Sequence, residues 1–150
     1  MKFKRLVALT FLGGICLFAV HSATFASSPP SSISVELTAG DKVIDAWVVF
    51  AQGELEQGLS GVLWLGENEG MIFFLPKNTK ARFHMKGVTI PLSIAYLNWR
   101  GKILKIEDMD PKTPERIYEA PDGIRYALEM NQRWFERNGV KERDRIRRKS

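Results

Sequence analysis

Cysteine is almost missing from this chain of 150 residues, the single one being Cys16. It lies in an N-terminal stretch that reads as removable, and a chain without it forms no disulfide, no cysteine-ligated zinc site and no thiol nucleophile. Histidine is nearly as scarce, with only His21 and His84, so a processed chain keeps one imidazole. No G-x-S-x-G elbow occurs, and Gly58, Gly61 and Gly66 do not fit G-x-G-x-x-G, which removes the usual signals of a serine hydrolase and of a phosphate-cradling loop. The apolar run from Leu6 to Val20 falls short of the roughly 20 residues that a spanning helix needs. There is no internal repeat.

What is present begins with Lys2, Lys4 and Arg5, followed by that apolar run and by small and polar residues through Ser28. Charged, apolar and small-residue regions in this order make a secretory signal peptide, with cleavage expected after Ala26 because Thr24 stands at minus three. Lipidation of Cys16 would require a small residue directly before it, and Ile15 is there. The expected organisation is a signal peptide over residues 1–26, a Ser/Pro linker over 27–32 (SSPPSS), one β-rich domain over 33–146 and a basic tail over 147–150. The product is expected to be exported, either periplasmic or secreted, with no transmembrane span. Export also lowers the formal net charge of +5 by the three basic residues of the leader. What excess remains is concentrated from Lys141 to Lys149, so nucleic acid is not an expected partner.

Alternation defines the strands. Ile33, Val35 and Leu37 alternate with Ser34, Glu36 and Thr38, while Ile44, Ala46, Val48 and Phe50 form one face of a second strand after a Gly40-Asp41 turn. Residues 54–59 suggest a short helix. Residues 71–75 form a continuous apolar run, as in a strand buried on both faces. Residues 81–86, 93–99, 102–108 and 124–130 read as further strands, with Arg100-Gly101 as a tight turn. Residues 109–123 read as a long loop punctuated by Pro111, Pro114 and Pro121. Asn131 is a candidate cap for a short helix holding Trp134 and Phe135, and Gly139 its left-handed end. Several short strands without a βαβ rhythm predict a mainly β (α+β) fold, either a small β-barrel or a strongly curved, antiparallel-rich sheet with one or two short helices.

The stretches Gly70-Met71-Ile72-Phe73-Phe74, Phe83-His84-Met85-Lys86 and Pro91-Leu92-Ser93-Ile94, with Gly101, resemble the signature of the family known as domain of unknown function 192. Its members typically read G-M-L-F-x-F, F-W-M-K-N-T and P-L-D-I-x-F-x-D-x-x-G, and Tyr126-Ala127-Leu128-Glu129 is similar to their Y-V-L-E. The resemblance covers roughly residues 51–146 and implies a single β-rich domain; it implies no activity. His84 stands where the family has Trp, Gly87 and Val88 where Asn and Thr are frequent, and Ser93 where Asp is usual. Arg143 precedes Asp144 where the family commonly has Gly.

Candidate site residues follow from strand alternation over 81–86, which sets Arg82, His84 and Lys86 on one face, where they could hold a carboxylate, phosphate or acidic saccharide. Ser93 and Glu129 join this ligand-binding set through the signature, although an Arg125–Glu129 ion pair explains Glu129 more simply. No catalytic residue, cofactor or metal is assigned. Glu107, Asp108 and Asp110 are the one dense acidic cluster, without the oxygen-ligand spacing of a calcium loop. Trp47, Trp64, Trp99 and Trp134 suit either saccharide stacking or packing. The expected function is a non-catalytic envelope binding or accessory module for a small anionic or glycan-like ligand. The alternatives are a hydrolase using His84 or Glu129 as general base, and a structural domain that docks to an envelope protein.

Overall fold

A computed structural model describes residues 33–50, 57–77 and 80–150. The expected signal peptide and Ser/Pro linker, and most of the expected helix at 54–59, lie outside the described residues. The strands are β1 (Ser34–Ala39), β2 (Lys42–Val49), β3 (Glu69–Phe74), β4 (Arg82–Phe83), β5 (Leu92–Asn98), β6 (Ile103–Met109), β7 (Tyr118–Glu119), β8 (Ile124–Asn131) and β9 (Ile146–Arg148). The helix α1 (Trp134–Arg137) lies between β8 and β9.

Seven strands make one sheet in the order β6-β5-β8-β3-β2-β1-β9, and β4 pairs with β7 in a separate ribbon. Every pairing is antiparallel except β2 with β3. The sheet curls until its two edges meet. Lys102, just before β6, bridges Arg145, just before β9, and the amide of Ile146 donates to the carbonyl of Gly101 at 2.9 Å. The expected mainly β fold is thus a strongly curved half-barrel.

Because side chains alternate along a strand, the sheet supports two cores. Inside the curl lie Leu37, Ile44, Ala46, Ile72, Leu128 and Met130. One end of this core is filled by Trp134 and Phe135 from α1, edge to face at 5.4 Å, and the Trp134 indole donates to Asn68 at 3.0 Å. The outer face carries Met71, Phe73, Ile94 and Tyr96, packed with Leu59, Val62, Met85 and Val88 from the loops that cover it.

Several local expectations change. The strand foreseen over 81–86 ends at Phe83, since Gly87 takes φ 72° and the amide of Val88 turns back to the carbonyl of Met85 at 3.0 Å. The loop foreseen over 109–123 contains β7, whose Tyr118 pairs with Phe83. Alternation over 124–130 would put Ile124, Tyr126, Leu128 and Met130 on one face, but Ile124 packs with the outer core, where the β5–β8 register shifts between Leu97 and Asn98. Asn131 does not cap α1; its side-chain amide donates to the carbonyl of Gly66 at 2.8 Å, and Arg133 occupies the cap in left-handed backbone. Arg147 and Arg148, foreseen in a tail, belong to β9.

Arg143 adopts φ 77°, so the turn keeps a glycine-like conformation without the glycine. A left-handed backbone costs a side-chain-bearing residue roughly 1–2 kcal/mol, part of which glycine returns through its freer unfolded chain. Arg143→Gly is expected to stabilise the fold by about 0.5–1 kcal/mol, read as a rise in the urea midpoint at unchanged slope.

Candidate functional site

The five expected ligand-binding residues do not form one surface. Arg82 and Lys86 are exposed and each already faces a carboxylate from the loop around β7, Arg82 with Glu119 at 3.9 Å and Lys86 with Glu115 at 2.7 Å. The ring Nδ1 of the exposed His84 accepts the amide of Lys86 at 3.3 Å. Ser93 is only 1% exposed and points into the curl, opposite Met130 and Asp108. Its hydroxyl donates to the Asp108 carboxylate and accepts the amide of Arg133 at 2.7 Å. That places it as a tie between β5, β6 and the entry to α1.

Glu129 lies on the opposite face of the sheet from Ser93, across from Met71 and Ile94, and is 5% exposed. Burial pushes its carboxyl up to about 8, so at neutral pH the group is mainly uncharged. The foreseen ion pair with Arg125 is not made: among the described residues Glu129 joins no ion pair, and the Arg125 guanidinium donates to the carbonyl of Leu75. The polar groups nearest in register are Glu107, one strand beyond Ile94, and Tyr96, whose phenol is pushed well up by burial and then by the charges of Glu107 and Glu129. The Tyr96 hydroxyl donates to the carbonyl of Tyr118 at 3.4 Å. Glu107 is paired with Lys105 at 2.7 Å. Asp108 faces the other side of the sheet, so the acidic cluster of the sequence is divided by the pleat.

A further concavity belongs to neither set. At the end of the half-barrel away from α1 the interior opens into a cleft of about 680 Å³, within the 300–1,000 Å³ typical of small-molecule sites. Its floor includes Leu37, Val48, Ile72, Leu97 and Ile146. An aromatic wall stands above them, with Phe50 against Phe74 at 4.5 Å and Phe74 against Tyr126 at 5.0 Å. Phe50 is 57% and Trp99 65% exposed. Arg100, Arg147 and Arg148 also border it; Arg100 stacks over Trp99 at 4.5 Å, Arg148 lies opposite Leu37 and so faces the cleft, and Arg147, opposite Thr38, faces away from it. Among the described residues none of these three guanidinium groups is ion-paired.

The sequence held a partial signal for this cleft. Phe50, Phe74 and Tyr126 each continue the inward alternation of a strand to its end, but only the strand order brings those ends together. The rim was not legible, since Arg148 reads as a tail residue until β9 is seen to pair with β1.

The family model DUF192, described as an uncharacterised ACR, matches residues 35–148. Among solved structures, a protein of unknown function from Novosphingobium aromaticivorans DSM 12444 is similar with TM-score 0.69 and 26% identity, over 76% of this chain and 83% of that one. A protein of Sinorhizobium meliloti 1021, provisionally described as a transcription regulator, is similar with TM-score 0.70 and 24% identity, over 77% of this chain and 92% of that one. No curated protein matches the chain.

Proposed function

Since the chain belongs to the uncharacterised DUF192 family, whose description supplies no activity, we propose from its own geometry that it is an exported, non-catalytic module binding an organic anion at the open end of the half-barrel. One observation carries this reading: an apolar cleft bordered by Arg100 and Arg148, neither of which is ion-paired among the described residues. Guanidinium groups are weakly hydrated and present paired donors that match a carboxylate or phosphate. The cations of the β4 turn are weaker candidates, because an anion there must displace Glu115 and Glu119. Export rests on the leader, and N-terminal sequencing of the exported protein should begin at Ser27.

A hydrolase would need a nucleophile or an activated water beside its base. Ser93 and Glu129 lie on opposite faces of the sheet, and Ser93 already makes two hydrogen bonds. His84 is at the surface with no carboxylate recorded beside it among the described residues. These facts favour binding over chemistry.

The test is a titration with 1-anilinonaphthalene-8-sulfonate, an anion with an apolar body. Saturable fluorescence enhancement that weakens with salt is expected. Arg148→Glu should reduce affinity about tenfold or more, the scale of one charge-assisted hydrogen bond, while His84→Ala combined with Lys86→Ala leaves it unchanged. Affinity lost in the second variant and kept in the first would move the site to the β4 turn.

A further inference from the structure

The chemistry of the cleft changes with depth. Its floor is aliphatic, from the buried Leu37, Val48, Ile72, Leu97 and Ile146, whereas the exposed Arg100 and Arg148 border its mouth. Between these levels stand rings, including the half-exposed Phe50 and Trp99. Leaving such surface in water is unfavourable by about 25 cal/mol per Å² of apolar area, and contiguous exposed apolar surface of this kind marks binding sites. A small hydrophilic anion would meet the arginines and leave the floor wet; an uncharged hydrocarbon would fill the floor and leave the arginines without a counter-charge. A molecule with one flexible aliphatic tail and one anionic head matches both levels.

We propose that the cleft takes a single acyl chain, tail inward against the aliphatic floor, with its anionic head held by Arg100 and Arg148. This rests on the anion-binding reading and names the ligand class. A second copy of the chain is a poorer occupant of the same mouth, since mouth-to-mouth contact would bring two sets of unpaired arginines together. The acyl head could be the carboxylate of a free fatty acid or the phosphate of a single-chain lysolipid, and both would use the same arginines.

The experiment is displacement of 1-anilinonaphthalene-8-sulfonate from the full chain by hexanoate, octanoate, decanoate and laurate, followed by lauroyl lysophosphatidate, all below their critical micelle concentrations. Affinity should rise about fourfold per methylene added while the tail is still entering the cleft. Laurate winning over the lysolipid would identify a free carboxylate as the head, and the reverse order a phosphate. Arg100→Glu with Arg148→Glu should weaken laurate at least tenfold and leave dodecanol unchanged. Val48→Asp, on the floor, should abolish both, and Phe50→Asp, half exposed and so safer for folding, should weaken both.

Equal affinity for hexanoate and laurate, with the fluorescent anion still bound, would overturn the acyl-chain proposal and spare the anion-binding reading. Failure of the fluorescent anion itself would overturn both. A dimer in sedimentation that Phe50→Asp dissociates and laurate does not would also overturn the proposal, because the mouth would then belong to a second copy.

Discussion

Replacing Glu129 by glutamine is expected to make the protein more stable above neutral pH and to leave it unchanged near pH 4. The carboxyl is raised from 4.5 to about 8 by burial. Between those values the unfolded chain releases this proton and the folded chain retains it, so stability falls as pH rises across that window. The full contribution is present below about 4.5 and is lost by about 8. A shift of this size amounts to roughly 3 kcal/mol at pH 7, or about 10 °C in melting temperature for a domain of this size. Glutamine mimics the uncharged carboxyl and cannot ionise, so the difference between variant and native melting temperatures should open progressively from pH 5 to pH 8. Other carboxylates titrate in both proteins and cancel in the difference. A variant less stable than the native protein at pH 8 would mean that Glu129 is ionised and well bonded in the fold.

Gly101→Ala is expected to cost about 3 kcal/mol or more. Gly101 has φ 72°, which alone costs alanine roughly 1–2 kcal/mol. An added Cβ would also lie 2.1 Å from the carbonyl oxygen of Ile146, and backbone does not yield as a flexible side chain does. The clash falls where the sheet edges join, since the amide of Ile146 donates to the carbonyl of Gly101. Gly123→Ala separates the two effects: φ is 81° and a Cβ there meets nothing within 4 Å, so only the conformational cost of about 1–2 kcal/mol applies. Urea denaturation of both variants measures the difference. Equal losses would show that the closing edge gives way freely.

The strands and the curved, mainly β architecture were legible because they depend on local alternation. Ile44, Ala46 and Val48 on one side and Gly40-Asp41 before them suffice for a hairpin. What alternation does not carry is the point at which a strand stops pairing. Residues 81–86 keep the pattern, with Met85 buried and His84 exposed, although the backbone leaves the ribbon after Phe83; a turn that buries every second residue looks like a strand in sequence. The candidate site suffered from a similar limit. Ser93 and Glu129 stand beside matching signature residues, yet the face each occupies depends on strand register, and a shift of one residue reverses the face. Arg148 became visible as a rim residue only through its pairing opposite Leu37, a contact between distant parts of the chain.

That pairing also governs when the molecule can form. β1 lies near the start of the described chain and β9 near its end, and β1 stays an open edge on one side until Ile146 to Arg148 arrive. A chain emerging from the ribosome therefore cannot close its sheet before β9 is made. Contacts this distant in sequence are slow to find, so the nascent chain passes through an interval in which one edge of its sheet is unpaired and open to other strands.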